Sequence, residues 1–178
     1  MFRSVFFIVI LLGSTIAQAD ANRGELGGFR LGDAYALDDD SAWTTAADRS
    51  LKIAATAATK PADIDMVYLY ATPASHTIGK IVYHSDFDSL GEAEQAAEKY
   101  RAQLESDYPD WERLRAPIPM GKAGGAMVSR LRNGPHALIV FYRGTADGAE
   151  LAVELEYESA SPERKAWKQQ LKQELGAP

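Results

Sequence analysis

The sequence predicts a single α+β domain in which a mainly antiparallel sheet of about five to six strands carries two packed helices. Three observations lead there. Two pairs of runs are each separated by turn-forming residues: 64–70 with 77–83, rich in β-branched and aromatic residues, and the moderately polar 127–131 with the wholly apolar 137–142. Leu151, Val153, Leu155 and Tyr157 alternate with Glu150, Ala152, Glu154, Glu156 and Glu158, which is the period of a strand with one face in a core. Two segments, opening at Ser89 and at Ser161, repeat apolar residues every three or four positions behind helix-capping residues.

Composition agrees with a packed domain. The 178 residues are 46% hydrophobic and 25% charged, too apolar for a disordered chain. With no cysteine, neither a disulfide scaffold nor a thiolate metal site can form. The 25 Asp and Glu exceed the 19 Lys and Arg, a formal charge of −6 that argues against nucleic acid as a partner.

The first nineteen residues read as a cleaved signal peptide. Arg3 precedes residues 5–12 (VFFIVILL), an apolar run too short to span a hydrocarbon core of about 30 Å. Gly13 and Ser14 break it, and Ala17-Gln18-Ala19 offers the small-x-small pattern of a cleavage site before Asp20. The mature chain, 20–178, would hold 18 basic against 25 acidic residues, have no membrane span, and rest on packing alone. Export without cysteine, and the lack of a glycosylation sequon at Asn22 or Asn133, favour a periplasmic over another extracytoplasmic destination.

Along the mature chain, Phe29 and Leu31 between glycines suit a short strand, and 38–40 (Asp-Asp-Asp) a turn. Leu51, Ile53, Ala55 and Ala57 alternate as a second strand, although their alanine neighbours also permit helix. Runs 64–70 and 77–83 form a hairpin. Ser89-Leu90-Gly91-Glu92 matches the capping box, and Leu90, Ala93, Ala97, Tyr100 and Leu104 mark the buried stripe of a helix that Pro109 ends. Residues 110–125 hold two prolines and three glycines and read as the longest loop. A second hairpin turns at Asn133-Gly134-Pro135, and its strand 137–142 (ALIVFY), apolar throughout, belongs inside the sheet. Ser161-Pro162 opens the last helix, with Trp167, Leu171 and Leu175 facing the core before Gly176.

Candidate sites are few. His84, Asp86 and Asp88 share one parity and would form a metal cluster if their strand ran that far; the simpler reading makes both aspartates loop or cap residues. His76 and His84 would lie about 26 Å apart on a continuous strand, too far to share an ion. No nucleophile elbow or phosphate-binding glycine loop is present. The triple aspartate lacks the remaining ligands of a calcium loop. The glutamate row from Glu150 to Glu158 is either an acidic docking face or the wet side of a sheet. Trp111, with Arg113 and Arg115 in the long loop, is the candidate exposed anchor, because Trp and Arg dominate binding hot spots; the alternative folds Trp111 back onto the core.

Two functions follow as expectations. One is a periplasmic, non-enzymatic binding or accessory protein for another envelope or secreted protein, requiring no cofactor. The other is a secreted metal-dependent hydrolase using His84, Asp86 and Asp88.

Overall fold

The computed structural model describes residues 24–37, 42–57, 60–114 and 116–176. The expected signal peptide, the triple aspartate and Arg115 lie outside them.

Six long strands build the sheet: β4 (Leu51–Ala55), β5 (Met66–Ala71), β6 (Ile78–Phe87), β9 (Gly125–Asn133), β10 (His136–Gly144) and β11 (Ala149–Tyr157). Three short ones complete it: β3 (Trp43–Thr45), β7 (Glu112–Arg113) and β8 (Ile118–Pro119). Every pairing is antiparallel, in the order β3-β4-β5-β6-β11-β10-β9-β7, with β8 also on β9. The α+β class with two helices therefore holds, but the sheet has nine strands rather than five or six. The added strands are two or three residues long, too short to show a period of two. Two of them come from the segment read as a loop: β7 and β8 lie along β9 and give their backbone groups partners there.

The Gly-flanked segment also differs. β1 (Glu25–Leu26) and β2 (Phe29–Arg30) make their own two-stranded hairpin. Its two-residue turn, Gly27-Gly28, has φ of 67° and 86°, positive values that glycine adopts without a Cβ clash.

Register assigns each side chain to a face. On the inner face Ile53, Leu69, Ile81, Leu155, Leu138 and Leu131 follow one another across six strands, each at most 1% exposed. Helix α1 (Leu90–Asp107) covers the β9, β10 and β11 part of this face with Ala93, Ala97, Tyr100 and Leu104. The alanines allow close approach, and Tyr100 donates to Asp63 at 2.7 Å. Leu90, expected in the stripe, is 36% exposed at the helix start. The Ser89 hydroxyl caps the helix, accepting from the Glu92 N–H at 3.3 Å and donating to the Glu92 carboxylate at 3.0 Å. Leu26 and Leu31 of the amino-terminal segment join the same core.

Helix α2 (Pro162–Glu174), capped by Ser161, lies at one end of the outer face. Its Trp167 is buried, and the indole N–H donates to the Thr77 carbonyl at 2.9 Å. Gly79 makes room: a Cβ there would lie 2.0 Å from the indole ring. At the far end of α2, the Glu174 carboxylate accepts from the backbone N–H groups of Ala74 and Ser75 at 2.8 and 3.1 Å and from the Ser75 hydroxyl at 2.5 Å.

Candidate functional site

Neither α1 nor the amino-terminal hairpin reaches the outer face. Alternation places Lys52, Tyr68, Tyr70, Lys80, His84, Asp86, Glu150, Glu154, Glu156, Phe141 and Arg143 there, in register across β4, β5, β6, β11 and β10.

The glutamate row is neither wet nor free. The side chains of Glu150, Glu154, Glu156 and Glu158 are only 15, 16, 17 and 11% exposed, and each meets a cation. Arg143 donates to Glu150, Lys80 to Glu154 at 3.1 Å, and Arg130 to both oxygens of Glu158 at 3.1 and 3.2 Å. Arg164 of α2 stands 3.4 Å from Glu156. Burial nevertheless pushes the Glu156 carboxyl up, against the pull of Arg164. Most of the row's charge is thus cancelled locally, so an acidic docking face for a cationic partner does not exist in that form.

At the other end of the face His84 Nε2 lies 3.2 Å from Asp86 Oδ1, and Glu150 faces Asp86 across the β6–β11 pair. One ligand-type atom from each of these three residues falls within 4.8 Å of the others. Asp88 is exposed beyond the end of β6 and is not a member of this cluster; Glu150 takes the third place. The Tyr68 ring meets the His84 ring edge-on, with centroids 5.6 Å apart, and Lys52 Nζ sits 3.7 Å over the Tyr68 centroid. Burial lowers the Lys52 pKa. Between this group and α2 lies a cleft of about 340 Å³, walled by Thr44, Lys52, Tyr70, Lys80, Arg164 and Trp167. That is within the size range of small-ligand sites.

The other sequence candidates separate. Trp111 is 4% exposed and packs its ring 5.3 Å from that of Tyr108, so it is folded back onto the core and does not form an exposed anchor. Burying an indole stabilises the turn after α1 more than leaving it in water would. Arg113 is exposed but tied to α1, donating to the Glu105 carbonyl at 3.2 Å. His76 sits in the β5–β6 turn with φ of 54°. His136 stacks on Tyr157 at the opposite end of the β10–β11 ladder, where burial lowers its pKa. Neither belongs to the His84 cluster. Sequence reading missed Glu150 as a partner of His84, since only the β6–β11 pairing joins them.

Comparison with family models, curated proteins and solved structures finds no match to this chain.

Proposed function

We propose that this chain is an exported, periplasmic binding or accessory protein, without a catalytic role, that docks another envelope protein on the outer face of its sheet. The export half of the reading rests on the apolar run at 5–12 and the Ala17-Gln18-Ala19 pattern. Among the described residues no helix is long and apolar enough to cross a membrane.

One observation carries the binding half: a broad sheet face, free of α1, on which two cation–ring pairs stand, Lys52 with Tyr68 on β4 and β5 and Arg143 with Phe141 on β10, on either side of β6 and β11. Lys52 over Tyr68 and Arg143 over Phe141, 5.9 Å from its centroid, pair a cation with a ring in the way favoured at protein interfaces. Arg143 is more than half exposed and Met66 is 37% exposed, so the patch is accessible. A metal-dependent hydrolase is the second reading, favoured by the contact of His84 with Asp86.

The test is site-specific photo-crosslinking in intact cells. A crosslinker at Tyr68 is expected to give a discrete adduct that Arg143→Glu abolishes, whereas one at Gln95, exposed on the side of α1 opposite its buried stripe, gives none. Adducts from Gln95 alone, or from neither position, would sink the proposal. Fractionation of the same cells should find the chain in the periplasm, beginning at Asp20.

A further inference from the structure

The outer face carries a second inference, independent of any docked partner: we propose that His84, Asp86 and Glu150 form a binding site for a divalent transition-metal ion such as Zn²⁺. The donor set is one imidazole nitrogen and two carboxylates, suited to Zn²⁺ and its first-row neighbours and free of the thiolates this chain lacks.

Three features of the fold build the site. His84 and Asp86 are two apart on β6, so the pleat directs both to one face, and the antiparallel register sets Glu150 directly opposite Asp86. The three donors therefore come from two adjacent, hydrogen-bonded strands. Donors around a four-coordinate ion with bonds near 2.1 Å stand about 3.4 Å apart. The His84–Asp86 separation of 3.2 Å already meets that spacing, and the limit of 4.8 Å across the trio leaves only side-chain torsions to adjust. The His84 imidazole is set in place by the Tyr68 ring against its edge, and its side chain is mostly buried while Asp86 opens to solvent, giving an ion an entry path.

The surrounding cations decide how such an ion is held. Arg143 donates to Oε1 of Glu150, and a carboxylate has a second oxygen that can ligate while the first keeps its arginine. Arg143 then orients the ligand in the way outer hydrogen-bond partners support metal carboxylates. Three protein ligands leave a coordination position for water or for a side chain of a bound partner.

The experiment uses untagged protein expressed from the full-length sequence, stripped with chelator and titrated with Zn²⁺ alone. One equivalent is expected to bind. In the unaltered protein the His84 ring nitrogens, and not those of His76 or His136, should shift in nitrogen-15 NMR, a readout that needs no variant. His84→Ala and Glu150→Gln should each weaken binding by about tenfold or more, with the folded state checked by circular dichroism, while Asp88→Asn leaves it unchanged. Zn²⁺ failing to bind, shifts at His76 or His136 instead of His84, or equal losses from Asp88→Asn and Glu150→Gln would each overturn the assignment.

Discussion

At Gly79 a single hydrogen atom decides how helix α2 docks. The indole of Trp167 lies flat against the place where any other residue carries a Cβ, and its N–H is satisfied by Thr77 two residues earlier. Gly79→Ala forces the ring or the strand to move, and overpacking of this kind costs about 2 kcal/mol. Urea unfolding should show the midpoint falling with its slope unchanged. Trp111 teaches the reverse lesson about aromatic residues in Pro- and Gly-rich segments. Breaker density marked the chain around it as a loop, where two short strands in fact pair with β9, and it says nothing about which way an indole faces. Burial decided that, through Tyr108 beneath it.

Among the elements, α2 is fastened at both ends, and the fastening at Glu174 responds to pH. Partial burial pushes this carboxyl up, while the bonds from Ser75, Ala74 and Gln170 outweigh that and draw its pKa down to about 2 from an ordinary 4.5. A carboxyl depressed by folding stabilises the native state fully above its unfolded pKa and loses that contribution as pH falls towards its folded one. Glu174→Gln should therefore cost roughly 1 kcal/mol at neutral pH, a value discounted for the exposure of the site. The difference from the unaltered protein should shrink between pH 4.5 and 2, measured by thermal unfolding across that interval. A constant difference would show that the carboxylate is not the fastening.

The legibility of each element followed from its length. The helices declared themselves through a period of 3.6, β11 through a period of two, and the other long strands through β-branched, aromatic or continuous apolar runs, with β4 left open to helix; both serine caps stand where the sequence puts them. β3, β7 and β8 did not, because a strand of two or three residues has no period and exists only where a longer neighbour offers an edge. The site was half legible for a related reason. His84 and Asp86 are linked by strand parity, a local property, whereas Glu150 is linked to them by a pairing between distant segments, and no pattern within either strand encodes it. The glutamate row was visible as alternation, but the cations that neutralise it come from β6, β9, β10 and α2.

For the molecule as a whole, protection should be graded across the sheet. β10 and β11 have a paired neighbour on each side, and α1 covers them, so their amides open only when most of the structure does. β3 and β7 are the ends of the strand order, each with one neighbour. In native-state hydrogen exchange the amides of Val140 and Val153 are expected to be slower than those at the β3 and β7 edges by roughly a thousandfold or more. Comparable rates at Thr44 and Val140 would show that the short edge is as firmly closed as the centre.

The β6–β11 pairing has a consequence for the order in which the chain can assemble. Every other junction between neighbouring long strands joins segments that follow closely in sequence, as hairpins do, but Lys80 and Glu154 meet across 74 residues. Closing so long a loop carries the largest entropic penalty of any pairing in the sheet. The sheet is in effect two ribbons, one ending in β6 and one ending in β11, with a zip between them. Because His84 and Asp86 stand on one ribbon and Glu150 on the other, the three come together only once the zip is shut, so an ion held by all three would also clasp the slowest seam of the fold.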